Sequence, residues 1–268
     1  MQTDTYWTRF IAVREQSPLV HNITNFVAMN NTANALLAIG ASPAMVHSMD
    51  EVEDFVAISQ ALVINIGTLY SEQVAACKLA AVSASAKNIP WVLDPVGAGA
   101  TLYRRTVASA LTRLRPKVIR GNGSEILTLT REQALNGQGR GVDSLHDSNI
   151  ALDAARQLAT EIGSVIAVTG AVDYVTDGEQ VMEIHNGHPL MTCVTGLGCS
   201  ATAIIGAFLA VEPDALLATV AALAVFGVAG EVAAGWAAGP GSLQVALLDA
   251  LYGLDEVTFK KHVRIIGR

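Results

Sequence analysis

Short apolar runs alternate with longer helical patterns along most of this chain, and that alternation restricts the possible folds more than any other feature. The runs lack a strict polar alternation, which is typical of parallel strands covered on both faces. They lie at residues 44–46, 62–66, 91–93, 118–120 and 165–169. The helical patterns lie at residues 31–39, 52–62, 71–87, 104–114 and 151–162. This order predicts an α/β fold with a mostly parallel central sheet and helices on both faces.

Two later parts of the chain depart from this order. Asp177 and Gly178 separate apolar segments at 174–176 and 180–184, which predicts an antiparallel hairpin with a tight turn. The remaining helical patterns lie at residues 199–211, 213–234 and 243–251. No linker, repeat or low-complexity tract divides the 268 residues. We therefore expect a single domain spanning residues 1–268.

Composition excludes several classes of partner. Hydrophobic residues make up 51% of the chain and charged residues 15%, which supports a sizeable dry core. The formal net charge of -7 argues against nucleic acid or an anionic membrane as the main partner, because both require a basic surface. A phosphate ligand remains compatible, since backbone amides and one or two cations suffice to bind it locally.

The cysteines and the apolar segments indicate the compartment. Cys77, Cys193 and Cys199 are odd in number and lack metal-ligand spacing, so we expect reduced thiols in a cytoplasmic protein. The first residues lack the apolar run of a signal peptide. The uncharged stretch at 215–230 is short and rich in alanine and glycine, which favours a buried helix over a membrane span.

Polar side chains follow the predicted strands at the edge where a doubly wound sheet binds its ligands. Asp94, Arg120 and Thr169 each close a strand, and Glu125 sits at the end of the strand that follows Asp94. Acids that can hold a metal, with a cation and a hydroxyl, suit phosphoryl transfer. Two simpler interpretations stay open: Asp94 also fits a turn-forming role, and Thr169 also fits a cap on the turn at Gly170.

A Gly-x-Gly turn at Gly196 and Gly198 opens an apolar helix. Such a turn directs free backbone amides and the positive end of the helix dipole at one point, where an anion binds. Close packing of a helix on a sheet would explain the glycines equally well. Cys199 lies in the first helical turn, where we expect the dipole to favour the thiolate. It could accept a substrate proton, orient a hydroxyl, or fill a small buried space.

Four segments together resemble the hydroxyethylthiazole kinases of the ribokinase-like superfamily. They are residues 17–25, 33–45, 93–97 and 119–126, and the likeness extends to about residue 243. The resemblance implies a three-layer ribokinase-like fold and a homotrimer with active sites between neighbouring subunits. It also implies Mg²⁺- and ATP-dependent phosphorylation of the primary hydroxyl of 4-methyl-5-(2-hydroxyethyl)thiazole, a step of thiamin salvage.

The resemblance assigns expected roles to individual residues. Residues expected to bind the thiazole are Met45, Gly196, Asn25, Val27 and Pro43. Residues expected to contact ATP are Arg120 and Thr169, and those expected to organise Mg²⁺ are Asp94 and Glu125. The expected catalytic set is Cys199, Gly198 and Gly196.

The resemblance also has departures and rivals. Related sugar and pyrimidine kinases place an aspartate where this chain, like the hydroxyethylthiazole kinases, has Cys199. Leu197 stands where the family usually has threonine. The alternatives are another ribokinase-like kinase for a small alcohol and a non-catalytic protein that binds nucleotide or thiazole. We further expect the glycine-rich segment 137–142 to be a loop over the nucleotide.

Overall fold

The computed structural model describes residues 2–136 and 148–268, and within these ranges nine strands form a single sheet. The expected nucleotide loop at 137–142 lies outside the described residues and stays a prediction. The strands are β1 (Leu19–Ile23), β2 (Ser42–Met45), β3 (Ala61–Asn65), β4 (Trp91–Asp94), β5 (Val118–Asn122), β6 (Val165–Thr169), β7 (Asp173–Thr176), β8 (Val181–Ile184) and β9 (Ile265–Gly267).

The sheet is parallel over most of its width. Its strand order is β2-β1-β3-β4-β5-β6-β7-β8-β9, and the neighbours from β2 through β6 pair in parallel. The hairpin of β7 and β8, joined by β9, extends it with antiparallel pairs. The predicted hairpin and the mostly parallel sheet are both confirmed.

Helices cover both faces of the sheet and give the expected three layers. They are α1 (Gln2–Gln16), α2 (Met29–Ala38), α3 (Val52–Ile58), α4 (Ser71–Ala86), α5 (Leu102–Thr112), α6 (Gly123–Asn136), α7 (Ser148–Ile162), α8 (Leu197–Leu209), α9 (Ala215–Trp236), α10 (Pro240–Gly253) and α11 (Glu256–His262). One core lies between the sheet and α1, α2 and α8 to α11, and the other lies beneath α3 to α7. Successive residues of β4 alternate between these cores, with Val92 in the first and Leu93 in the second.

Helix α9 is the element on which the membrane question depends. It has 22 residues and a mean hydropathy of 2.0 over its most apolar window, so by length and composition it could cross a membrane. In the structure, 83% of that window is buried inside the protein. The prediction of a buried helix in this region is confirmed.

The sequence prediction was wrong at the end of α3, which was expected to run to residue 62. The helix ends at Ile58, because Ser59 adopts an extended backbone and its hydroxyl donates to the Phe55 carbonyl. The Gln60 amide then pairs with the Leu19 carbonyl and starts the strand geometry of β3.

Helix α8 approaches the sheet closely because it carries a glycine where it crosses β3. A Cβ atom added to Gly206 would lie 2.6 Å from Cγ2 of Val63 and 3.3 Å from Cγ1 of Val20. Only a residue without a side chain permits this separation. The packing places the start of α8 beside the carboxyl ends of the parallel strands.

Candidate active site

Asp94 occupies the centre of this sheet edge. It is 1% exposed, and its Oδ2 accepts hydrogen bonds from Asn65 Nδ2 at 2.7 Å and from Thr202 Oγ1 at 2.8 Å. Its Oδ1 is buried and has no partner within the described residues. Burial raises the pKa of Asp94 to about 6, although nearby Arg120 opposes the shift. A carboxylate with one unpartnered buried oxygen is suited to bind a cation.

A line of buried amides connects Asp94 with Cys199. Asn65 Oδ1 accepts from Asn25 Nδ2 at 2.8 Å, and that same nitrogen lies 3.2 Å from the Sγ atom of Cys199. Asn25 Oδ1 in turn accepts the Ala28 amide at 2.9 Å. Asn25 is therefore a buried link of this network, as well as a neighbour of the region expected to bind the thiazole.

Asn65 and Thr202 are functional candidates that were not among the predicted site residues. Asn65 closes β3 exactly as Asp94 closes β4, and the two residues are register partners. Thr202 lies one helical turn after Gly198, whose carbonyl its hydroxyl also contacts at 3.2 Å. The strand-end position could have indicated Asn65, whereas Thr202 has no signal in the sequence beyond that spacing.

The protonation state expected for Cys199 is corrected by the structure. Burial, followed by the charge of Asp94, raises the pKa of the Cys199 thiol, although Asn25, Asn65 and Arg120 act in the opposite direction. The prediction that Cys199 is held as a thiolate is therefore wrong, because burial and the charge of Asp94 favour the protonated thiol. A neutral thiol can orient a hydroxyl, but it is a poor general base.

The two glycines before Cys199 are required by different neighbours. Gly196 has φ +82°, a left-handed conformation that favours glycine, and an added Cβ would lie 3.2 Å from the Ala28 side chain. An added Cβ at Gly198 would lie 2.7 Å from Nη1 of Arg120. The guanidinium of Arg120 thus lies directly against the start of α8, so a cation and the helix dipole meet at one point.

Arg120 is available to an anion. Its Nε is buried without a partner, and no carboxylate in the described part of the chain forms an ion pair with it. Leu197, which begins α8, is 7% exposed and packs in the first core. Leucine therefore substitutes an apolar contact for the threonine hydroxyl at this turn.

Glu125 binds backbone amides at the start of α6. Its Oε1 accepts the Gly97 amide and its Oε2 accepts the Asn122 amide, both at 2.8 Å. Asn122 Oδ1 accepts the Glu125 amide in return at 3.0 Å. These bonds hold the loop after β4 against the turn after β5. Within the described residues no group of three or more His, Cys, Asp and Glu side chains could hold a metal on its own.

A cavity of about 640 Å³ opens beside Arg120 and Gly198 and also includes Thr169 and Gly196. Its volume is in the range of small-molecule sites. Its apolar wall includes Leu223 and Phe226 of α9 and Met191 of a 3-10 helix at Pro189–Cys193. Thr169 is half-buried and donates only a long hydrogen bond of 3.4 Å, to the Gly121 carbonyl.

Two glycines of α9 shape the far wall of this cavity. An added Cβ at Gly227 would lie 2.8 Å from Cβ of Asn186, and one at Gly230 would lie 2.3 Å from Sδ of Met191. The next residue, Glu231, accepts the Gly187 amide at 2.9 Å. Helix α9 therefore holds the segment after β8 close to its own axis.

Asp173 is a further acidic residue of this cavity that sequence reasoning missed. Its Oδ1 accepts the Gly170 amide at 2.9 Å. Burial raises its pKa to about 6, against the effects of the Gly170 amide and Arg120. It begins β7, a strand whose first residue was not expected to reach the site.

Comparison with known proteins decides the family. The sequence model of the "Hydroxyethylthiazole kinase family" matches residues 10–257 of this chain. This chain belongs to the hydroxyethylthiazole kinase family. A hydroxyethylthiazole kinase from Granulibacter bethesdensis is 55% identical over 252 residues, which cover 94% of this chain and 91% of that protein. One from Arabidopsis thaliana is 50% identical over 260 residues, covering 97% and 94%.

Solved structures agree on the fold. The hydroxyethylthiazole kinase protein from Pyrococcus horikoshii OT3 superposes with a TM-score of 0.92 at 42% identity and covers 99% of both chains. A Staphylococcus aureus pyridoxal kinase in complex with AMP-PCP and pyridoxal gives a TM-score of 0.63 at 16% identity, covering 94% of this chain and 98% of that one. The second likeness shows the fold alone, and both support the predicted ribokinase-like architecture.

The residues expected to bind the thiazole lie in a region that is more exposed than the network around Asp94. Pro43 and Met45 are half-buried in β2, an edge strand, and neither lines the 640 Å³ cavity. Val27 is 62% exposed. Phe26, beside it, stacks on Tyr70 with ring centroids 5.8 Å apart. Of the expected thiazole residues, the structure brings Asn25 and Gly196 to the start of α8, leaves Pro43 and Met45 on the edge strand and leaves Val27 exposed.

Proposed function

We propose that this member of the hydroxyethylthiazole kinase family transfers a phosphoryl group from ATP to the primary hydroxyl of 4-methyl-5-(2-hydroxyethyl)thiazole. The observation that carries the proposal is the contact between Arg120 and the start of α8 at Gly198, with the buried carboxylate of Asp94 joined to the same helix through Thr202. Phosphoryl transfer depends mainly on positioning and on positive charge where negative charge develops, and this arrangement supplies both.

The nucleotide occupies the 640 Å³ cavity in this proposal. Its base packs against the apolar wall at Leu223 and Phe226, while Arg120 and Thr169 contact the phosphates. The reacting phosphoryl group then lies at the amides from Gly196 to Cys199, where the helix dipole stabilises its charge. Arg120 has no ion-pair partner among the described residues, and this supports placing the phosphates beside it.

The donors fit a magnesium ion that ATP brings with it. Mg²⁺ is bound in such sites by one or two carboxylates together with phosphate oxygens and water, so a large protein cluster is not required. Asp94 offers the unpartnered Oδ1, and Glu125 keeps lone pairs beside its two amide bonds. When bound, Mg²⁺ would neutralise charge on the phosphates. Asp94 would hold it, and Glu125 would fix the loops around it.

Cys199 orients the substrate hydroxyl in this proposal. Its neutral thiol accepts a hydrogen bond from Asn25 and lies at the helix start where transfer takes place. A loose transition state requires little help from a base, so an orienting group is sufficient. Asn25 and Asn65 hold the thiol and Asp94 in a fixed relation, because both amides are buried and hydrogen-bonded.

A neighbouring subunit completes the thiazole pocket in this proposal. Val27 and Phe26 are large apolar side chains left exposed, and Pro43 and Met45 are half-buried on the edge strand β2. Apolar surface of this kind is favourably covered by a protein partner. A homotrimer with active sites between subunits, acting as a cytoplasmic single-domain enzyme of thiamin salvage, fits this exposure.

The test is detection of product by mass spectrometry after incubation with ATP, Mg²⁺ and 4-methyl-5-(2-hydroxyethyl)thiazole. Pyrimidine alcohols and a sugar serve as parallel acceptors. We expect phosphorylation of the thiazole alone. Product from another alcohol but none from the thiazole would retain the kinase class and reject the substrate. ATP binding without turnover of any acceptor would favour a non-catalytic binding protein.

A further inference from the structure

A second cavity of about 620 Å³ lies at the opposite edge of the sheet, where the parallel strands begin. Trp91 of β4 and Lys117, just before β5, line it together with Leu209 at the end of α8. It is almost as large as the cavity beside Arg120 and shares no lining residue with it. No step of the proposed reaction uses this cavity.

The rim of this cavity carries two unpaired cations. Arg115 and Lys117 are both exposed, and neither forms an ion pair or a side-chain hydrogen bond in the described part of the chain. The nearby acid is already occupied: Glu212 is paired with Arg9, and its Oε1 accepts the Asp214 amide at 2.8 Å. Two free cations around a cavity are notable in a chain whose net charge is -7.

One residue that lines the cavity has a side-chain polar atom that lacks a partner. Trp91 is 2% exposed, and its Nε1 is buried without a hydrogen-bond acceptor within the described residues. A buried N–H group is almost always paired in a folded protein, so the unpaired indole N–H marks Trp91 as an unusual core residue beside this cavity. Ile89, Pro90 and Leu209 supply apolar surface beside it.

Near this cavity, residues other than glycine adopt a left-handed backbone conformation that favours glycine. Ser17, Asn88 and Arg115 are the non-glycine residues of positive φ in the described chain, with values of 44°, 57° and 55°. Each follows the end of a helix, where glycine commonly takes this conformation. Asn88 and Arg115 line the cavity, and Ser17 follows the lining residue Gln16. Asparagine tolerates this conformation, whereas arginine is uncommon in it.

From these observations we propose that the second cavity binds a small phosphate monoester with a flat apolar body. Arg115 and Lys117 hold the phosphate, because a guanidinium and an ammonium together provide several charged donors for a dianion. The apolar body packs on Ile89, Pro90 and Leu209, next to Trp91.

The test is a titration of the whole protein, labelled with 5-fluorotryptophan, with phenyl phosphate as the probe. The three tryptophans give three fluorine signals, and Trp7→Phe and Trp236→Phe assign two of them, leaving the Trp91 signal. We expect a saturable shift of the Trp91 signal with a Kd in the millimolar range or below. Absence of a saturable shift at Trp91 would overturn the proposal.

Matched variants separate this cavity from the nucleotide cavity. Arg115→Ser/Lys117→Ser should weaken binding at least tenfold. Lys78→Ser/Lys261→Ser removes the same charge from exposed positions elsewhere and should leave the Kd unchanged. Arg120→Ala should also leave it unchanged. A normal Kd in the Arg115→Ser/Lys117→Ser protein would reject the proposal, as would loss of binding in Arg120→Ala, which would place the probe beside Arg120.

Two further measurements test the parts of the proposal. Arg115→Gly relieves the positive φ, so the midpoint of thermal unfolding should stay the same or rise while phenyl phosphate binding weakens. A lower midpoint with normal binding would show that Arg115 has only a structural role. Inorganic phosphate should bind more weakly than phenyl phosphate, and equal affinities would reject the contribution of the apolar floor.

Discussion

The two halves of the candidate site differ in how deeply their residues are buried and in how many hydrogen bonds hold them. On the proposed nucleotide side, Asp94 and Asn65 are each 1% exposed and are joined by a hydrogen bond of 2.7 Å. On the thiazole side, Val27 is 62% exposed, and Met45 lies on an edge strand. The groups that must be positioned for phosphoryl transfer are thus fixed by the core, whereas the surface expected to bind the thiazole is exposed.

The difference has a physical basis. A buried polar network is costly unless all its members are satisfied, so a single fold must supply the partners. An apolar ring can instead be covered by any complementary apolar surface, including that of another subunit. Substitutions on the nucleotide side should therefore alter the rate of transfer, and substitutions on the thiazole side should alter binding and assembly.

Asp94→Asn should give the largest effect. It removes the carboxylate with the unpartnered oxygen but keeps an acceptor for Asn65 and Thr202. Loss of a metal-holding charge is worth several kcal/mol, so kcat should fall about 1,000-fold. Steady-state kinetics at several Mg²⁺ concentrations measures it. A normal rate at low Mg²⁺ would contradict the assignment of Asp94.

The pKa of Asp94 gives this variant a second readout. The kcat/KM of the wild-type protein, which reports the free enzyme, should rise as the pH increases through about 6, because the carboxylate is then formed. Stability should change in the opposite direction: the folded pKa lies above the ordinary value of 3.8, so stability contributed by Asp94 below pH 3.8 is lost as the pH rises to about 6. Urea unfolding at pH 4 and pH 7 should show a smaller pH difference for Asp94→Asn than for the wild type.

Gly198→Ala should lower kcat about 100-fold, the scale expected when one stabilising contact to developing charge is lost. The added Cβ would lie 2.7 Å from Arg120 Nη1, and the flexible guanidinium would move away from the helix start. Because the arginine can move, the midpoint of thermal unfolding should change little. Gly253→Ala, where an added Cβ has no neighbour within 4 Å, is the matched control and should keep the wild-type rate.

Cys199→Ala should reduce kcat about tenfold, toward the lower limit expected for a group that assists proton positioning rather than transferring the proton itself. The fold should remain intact, since the side chain is only half-buried. Cys199→Ser retains a group that can accept from Asn25 and should lose less. The comparison of the two rates is the measurement. Equal, wild-type rates in both variants would reduce Cys199 to a packing residue.

Val27→Ser should have the smallest effect on kcat. Its main effect should be on thiazole binding and on subunit association. An exposed side chain contributes little to the stability of the single chain. Loss of its apolar contact should raise KM for the thiazole a few-fold while KM for ATP stays constant. Sedimentation velocity should show weaker self-association of the variant in the proposed trimer. A rise in KM for ATP instead would remove the distinction between the two halves.

Much of the fold follows from the apolar pattern, because parallel strands buried on both faces leave a continuous signal. Strand β1 gave a weaker signal, since its buried residues include the polar His21 and Asn22. Among site residues, strand-end polarity indicated Asp94 and Arg120. The roles of Thr202 and Asp173 depend on contacts between distant segments, as with Thr202 and Asp94, which are 108 residues apart. Desolvation likewise reversed the expectation for Cys199, because burial is a property of the whole fold.

The glycines in α9 have a consequence for engineering this protein. Glycine inside a helix costs about 1 kcal/mol relative to alanine, so Gly227 and Gly230 together make α9 intrinsically weaker by about 2 kcal/mol. A thermostability design guided by helix propensity would replace them first. Their missing side chains, however, are the space into which Asn186 and Met191 fit. A more helical α9 would push the cavity wall outward, so intrinsic helix stability and the proposed nucleotide binding are opposed at these two positions.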